Sequence, residues 1–189
     1  MPIDAPTERE LMITGVGGQG VQLAAQVVAR AATILGQEVM LFGSYGGMMR
    51  GGNTDATIVM SDEPIEAPPV VSETWSAILL HHEYWASVRD RIRDDGVVLV
   101  NSSVFEDAVD RDRYTVHEIP ATDMATDMGN LVLANMIMVG AYATLTGVID
   151  LESTIAGMRQ AVPPYRQQLI EANEAALRAG AAFRDRVSA

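Results

Sequence analysis

The sequence predicts an α/β protein: a layered, largely parallel sheet flanked by helices, in a single domain. Three observations carry this. Short apolar runs such as "LMIT", "SAILL" and "VVLV" read as strands buried on both faces. Stretches with helical spacing of apolar residues alternate with them. A chain of 189 residues, 48% hydrophobic and 20% charged, is long enough to bury one substantial core.

Residues 1–10, "MPIDAPTERE", read as a flexible lead-in, and 11–189 as the folded domain. Leu11 to Thr14 is expected as a short buried strand. A helix follows from about Gly20 to Leu35, with Leu23, Val27, Ala31 and Ile34 or Leu35 on one face, and Gly36 stops it. "EVMLF", Glu38 to Phe42, reads as a second buried strand, completing a unit of βαβ size. Gly43 to Thr54 is too glycine-rich for a regular element. Asp55 to Ser61 resumes as a strand, with room for antiparallel pairing in this section. "DEPIEAPPV" follows as a proline-bearing turn or edge.

Ser76 to His82 reads as a strand, Glu83 to Arg93 as a solvated helix, and "GVVLVNSS" as another buried strand. "YTVHEIPA" alternates weakly and is expected to be the last strand. Leu131 to Gly147 is apolar nearly all round and suits a buried or interface helix. Asp150 is placed to cap the helix of "LESTIAGMRQAV". After "PPY", a polar C-terminal helix is expected from Arg166 to about Arg178.

Composition excludes several kinds of chemistry. No apolar run reaches the ~20 residues that cross a bilayer. The N-terminal stretch has neither a basic nor an apolar region of a signal peptide. A cytoplasmic protein without membrane contact is expected. The net charge of −12 argues against nucleic-acid binding, which relies on cations to neutralise phosphates. There is no cysteine, hence no thiolate nucleophile, disulfide or cysteine-ligated iron–sulfur cluster in this chain. There is no lysine either: all 13 cations are arginine, which excludes Schiff-base and P-loop lysines.

Two loops stand out. In "GVGGQG", Gly15, Gly17 and Gly20 spell G-x-G-x-x-G between a strand and a helix, where backbone N–H groups can hold an anion. A dinucleotide site also needs an acid at the end of the second strand for the ribose hydroxyls. That strand ends "MLFGSYG", without one. A purely structural turn is the competing reading. The second loop, "SYGGMMRGGN", sets Arg50 between two Gly-Gly pairs, with Met48 and Met49 beside it and Tyr45 and Asn53 flanking. The planar guanidinium suits phosphate or carboxylate, and the glycines permit close approach. A contact surface explains exposed methionines better than a solvated loop does. His81, His82 and His117 show no metal-ligand spacing. Ser102 and Ser103 lack a nucleophile elbow. "DDGVVLVN" is too short for a thiamine-diphosphate metal motif. No catalytic constellation is visible.

The blocks "ITGVGGQGVQLAAQVVARAA", "SYGGMMRGGNTDATIVMSDEPI" and "NLVLANMIMVGAYATLTGVIDLES" occur in order over residues 11 to about 180. Together they resemble the gamma subunit, or gamma domain, of the thiamine-diphosphate-dependent 2-oxoacid:acceptor (ferredoxin) oxidoreductases. The resemblance implies a role in oxidative decarboxylation of a 2-oxoacid, usually with coenzyme A, to an acyl-CoA. It implies partner subunits that hold thiamine diphosphate, magnesium and iron–sulfur clusters, with ferredoxin or a similar acceptor reached through the complex. No cofactor is expected on this chain alone and no catalytic residue within it. The family's motifs fall on Gly15, Gly17, Gly18, Gln19 and Gly20, and on Tyr45, Gly46, Arg50, Gly51 and Gly52, with Asn53 following. A third block falls on Gly129, Asn130, Asn135, Met136, Gly140 and Gly147. Gly47 and Met48 depart from the "GPE" of 2-oxoglutarate-type relatives, and "MMRGG" resembles the "MAQRGG" of indolepyruvate types. Which 2-oxoacid is used stays open. So do two other readings, an autonomous dinucleotide-binding oxidoreductase and a purely structural assembly subunit.

Overall fold

The computed structural model describes residues 8–45, 52–65 and 71–183. Six strands form one sheet in the order β2-β3-β1-β4-β5-β6. They are β1 (Arg9–Val16), β2 (Glu38–Tyr45), β3 (Asn53–Ser61), β4 (Thr74–Leu79), β5 (Ile92–Asn101) and β6 (Thr115–Ile119). The run β1-β4-β5-β6 is parallel, whereas β3 pairs antiparallel with both β1 and β2. The helices are α1 (Val21–Ile34), α2 (Trp85–Val88), α3 (Ala121–Asp127), α4 (Ala134–Thr146), α5 (Leu151–Ala161) and α6 (Ile170–Ala182). Among the described residues no helix is long and apolar enough to cross a membrane.

Strand alternation divides the core in two. Leu11, Ile13, Ile58 and Leu99 point toward α1, α4 and α5. Met12, Leu79, Val98 and Val100 point the other way, onto Trp85 and Val88 of α2 and onto Tyr114. The edge of Trp85 meets the rings of Phe105 and Tyr114 at centroid distances of 6.0 and 6.3 Å.

Three sequence expectations need correction. The strand from Glu38 is an edge strand, not a buried one: Leu41 and Phe42 are 37% and 43% exposed because, among the described residues, only β3 pairs with it. The unit it closes is no simple βαβ, since β3 lies between β1 and β2. The helix expected over residues 83–93 is broken into a 3-10 turn (His82–Tyr84), the single turn α2 and a second 3-10 turn (Arg89–Arg91). β5 already begins at Ile92. α3 has no counterpart among the elements expected from the sequence. The antiparallel pairing expected in the section after Thr54 is present as β3.

α4 is buried on every side from Asn135 to Ala143, as its uniform apolarity requires. It crosses α6 at glycine on both helices. A Cβ on Gly140 would strike the Leu177 carbonyl oxygen, and one on Gly180 the Ile137 carbonyl oxygen. The C-terminal helix is therefore only half polar, with Asn173, Ala176, Leu177 and Gly180 buried against its neighbours. Inside this layer the Tyr142 hydroxyl lies 3.1 Å from Ser76 Oγ, which donates to the Glu10 carbonyl. Burial pushes the Tyr142 pKa up to about 12, keeping the phenol neutral.

The Asp150 cap is present: Oδ1 accepts from the Ser153 N–H at 2.7 Å and Oδ2 from the Ser153 hydroxyl at 2.9 Å. The backbone bond from Ser153 is the chief cause of a carboxyl pKa below the usual range. Asp150→Ala is expected to cost about 1 kcal/mol in urea unfolding at neutral pH. A lowered folded-state pKa means the contribution is complete above the unfolded value, near ~4, and is lost as pH falls through the folded value. The gap between wild type and variant should therefore close in acid. A gap that does not narrow as the pH is lowered would disprove the cap's role.

Candidate functional site

The C-terminal ends of β1, β2, β4, β5 and β6 and the start of β3 share one end of the sheet. The registers Val16↔Asn53 and Tyr45↔Thr54 fix this. Both glycine-rich loops are thereby carried to the same place. The Gly17 N–H donates to the Gly52 carbonyl at 2.9 Å, so the first loop is tied directly to the end of the second. Arg50 and Gly51, with residues 46–49, lie outside the described residues.

The first loop is knit to the body. Gln19 Oε1 accepts from the Val16 N–H at 2.9 Å, and its Nε2 donates to the Leu80 carbonyl at 3.3 Å. The Gln19 N–H returns to the Val16 carbonyl at 3.2 Å. Gln19 thus acts as a side-chain brace, and a Cβ on Gly15 would stand 2.6 Å from its Oε1. Gly20 caps α1 in the left-handed conformation (φ 79°), and a Cβ there would strike Asn135 Nδ2. That amide donates to the Gly20 carbonyl at 3.2 Å, linking the first and third sequence blocks across 115 residues. Gly18, at φ +105°, is the open point of the loop: among the described residues beyond its chain neighbours, none lies within 4 Å of a methyl group placed there.

Asn53 opens β3. Its Nδ2 donates to Asp55 Oδ2 at 2.8 Å, and its Oδ1 lies 3.5 Å from Thr14 Oγ1. The predicted residues Gly15, Gly17, Gly18, Gln19, Gly20, Gly52 and Asn53 are therefore brought together at one end of the sheet. Sequence reasoning did not select Leu80 and Asn101 for it. Asn101 is fully buried at the end of β5, donates to Leu80 O and Thr122 Oγ1, and accepts from the Thr122 N–H. The polar residue closing "VVLVN" was the available signal.

A crevice of about 230 Å³ opens here, between the loop at Gly18 and Gln19 and the segment carrying Leu131, Val132, Ala134 and Asn135. It marks a topological switch point. β1 leads into α1 on one face and the adjacent β4 leads into α2 on the other, the place where open α/β sheets receive partners or ligands. The neighbour of β1 on the α1 side is antiparallel β3, not the parallel strand that carries the ribose-binding acid in dinucleotide folds. His81 and His82 serve local structure. His81 Nδ1 accepts from the Glu83 N–H at 3.2 Å, and His82 Nδ1 lies 2.8 Å from the Val104 carbonyl. Among the described residues no group of three or more His, Cys, Asp or Glu is placed to hold a metal.

Fold and site define an α/β chain whose glycine loops meet at a switch-point crevice without metal-ligand clusters among the described residues. The family model for pyruvate ferredoxin/flavodoxin oxidoreductase matches residues 10–183. The 2-oxoglutarate synthase subunit KorC of Methanocaldococcus jannaschii is 34% identical over 162 residues, covering 82% of this chain and 84% of that one. The pyruvate synthase subunit PorC of Methanothermobacter marburgensis is 29% identical over 156 residues, covering 82% and 86%. The crystal structure of a keto/oxoacid ferredoxin oxidoreductase gamma subunit from Geobacter sulfurreducens superposes with a TM-score of 0.79 at 27% identity, covering 92% and 94%.

The chain belongs to the pyruvate ferredoxin/flavodoxin oxidoreductase family. The gamma-subunit assignment drawn from the three sequence blocks stands.

Proposed function

We propose that this chain works within a multisubunit complex that oxidatively decarboxylates a 2-oxoacid, usually to an acyl-CoA, and passes electrons to ferredoxin or a similar acceptor. Thiamine diphosphate, magnesium and the iron–sulfur clusters belong to partner subunits. The donor set here is unsuited to a cysteine-held cluster, since the sequence contains no cysteine. The single observation that carries the local proposal is the Gly17 N–H bond to Gly52 O, which joins the two glycine loops into one surface. The candidate binding set is Gly15, Gly17, Gly18, Gln19, Gly20, Gly52 and Asn53, with Arg50 and Gly51, which lie outside the described residues, included from the sequence alone. Its task is to meet either a partner chain or an anionic part of the substrate system, coenzyme A being the candidate.

Arg50 tests this. In the reconstituted complex, Arg50→Ala should raise the apparent KM for coenzyme A or weaken assembly. The loss of one charge-assisted hydrogen bond costs about 1.5–3 kcal/mol, one to two decades. Arg50→Lys should rescue poorly, because an ammonium cannot form the planar fork. Unchanged assembly together with unchanged coenzyme A kinetics would reduce the second loop to a structural role.

A further inference from the structure

We propose that Asn101 is a positioning residue for the glycine-loop surface, acting through the Leu80 carbonyl and Gln19 on the backbone at Val16 and Gly17. The inference rests on the reading of that surface given above and adds a residue that lies outside it. Leu80 follows the last residue of β4, and its carbonyl receives two side-chain amides from the strands on either side. Gln19 Nε2 donates to it at 3.3 Å from the loop after β1, and Asn101 Nδ2 donates at 3.3 Å from the end of β5. Gln19 turns its Oε1 to the Val16 N–H at 2.9 Å, beside the Gly17 N–H that joins the second loop at Gly52 O.

Asn101 is anchored independently of the loop. Its Nδ2 also donates to Thr122 Oγ1 at 2.8 Å, and its Oδ1 accepts from the Thr122 N–H at 3.1 Å. The carboxamide is thus fixed by the first turn of α3, and a row of hydrogen bonds crosses the end of the sheet from Gly52 to Thr122. At 0% exposure Asn101 meets no ligand or partner itself. Its reach is through the shared oxygen. With Asn101 in place the Leu80–His81 peptide offers that oxygen to Gln19 in one orientation; without it the peptide can turn and release the brace. Linked bonds of this kind reinforce one another. A loop that presents backbone groups to a ligand or partner needs such support, since small misplacements are costly.

The test uses the complex co-expressed from all its subunits. Arg50→Ala first defines which quantity the surface controls, the apparent KM for coenzyme A or the dissociation constant of this subunit. Asn101→Leu, similar in shape but without the donor, should raise that same quantity about fivefold, the loss of one neutral hydrogen bond, with kcat of the assembled complex unchanged. Gln19→Met should raise it by a similar factor. The double variant should be little worse than either, because both act through one oxygen. Hydrogen exchange at Val16 and Gly17 should quicken in Asn101→Leu. Asp150→Ala, destabilised elsewhere, should leave both the quantity and this exchange as in wild type. If Asn101→Leu yields no complex, Gln19→Glu decides: it keeps the acceptor for Val16 and turns an oxygen against the Leu80 carbonyl, and wild-type behaviour would overturn the proposal. So would an Asn101→Leu that lowers only the thermal midpoint, single effects that multiply in the double variant, or an Asp150→Ala that reproduces them. Arg50→Ala unaltered in both quantities would instead remove the reading of the surface, and this proposal with it. A shift in Arg50→Ala with none in Asn101→Leu would sink the positioning role alone.

Discussion

Gly180→Ala is expected to lower the stability of the isolated chain by about 3 kcal/mol, the upper range for forcing atoms into a packed core. The reason lies in what the new methyl meets. At Gly180 it meets the Ile137 carbonyl oxygen, and at Gly140 the Leu177 carbonyl oxygen. Both obstacles are helix backbone, which cannot swing aside as a side-chain tip can. α4 and α6 must therefore separate, weakening the dispersion contacts of Ile137, Ala141, Ala176 and Leu177. Gly140→Ala should behave alike, and the double variant should cost less than the sum because one separation relieves both clashes. Urea unfolding measures all three. A single variant within 0.5 kcal/mol of wild type, roughly the scatter of a neutral surface change, would show that the helices do not cross this closely.

Gly20→Ala is expected to cost roughly 2–4 kcal/mol, from two sources. Holding a non-glycine residue in the left-handed region costs about 1–2 kcal/mol. The methyl also displaces Asn135 Nδ2, leaving a buried amide and the Gly20 carbonyl poorly paired at a further ~1–3 kcal/mol. Gly18→Ala probes the first source, because its φ is also positive but no described residue beyond its chain neighbours crowds the position. Equal losses at the two glycines would mean that Asn135 does not brace the loop.

How legible this was varied with how local the cause is. The Asp150 cap and the strand–loop–helix at Leu11 to Ile34 depend on neighbours in sequence, and both are found where expected. Leu41 and Phe42 misled because an apolar strand is half-buried or buried according to whether something pairs beyond it, and strand order is a tertiary property. The helix expected near residue 88 fails because Ile92 is claimed by the sheet next to Thr74. The family resemblance set Gln19 in the first block and Asn135 in the third. It did not reveal that one braces the loop from within while the other holds it from α4, since both bonds close only in three dimensions. Likewise, α3 lacks a side-chain cap and is seven residues long, too brief for periodicity to announce it.

The strand order has a consequence for how the chain is born. β1 leaves the ribosome before either of its partners, β3 on one edge and β4 on the other. Until Leu79 has been synthesised, an eight-residue strand with Leu11, Met12 and Ile13 at its centre lacks its full native pairing. At ordinary translation speeds that delay lasts on the order of seconds. α1, arriving meanwhile, can shield only the face bearing Leu11 and Ile13, leaving Met12 and the strand edges for a chaperone or for aggregation. Slowing translation between codons 17 and 79 should thus reduce the soluble yield of this subunit more than slowing it after codon 120.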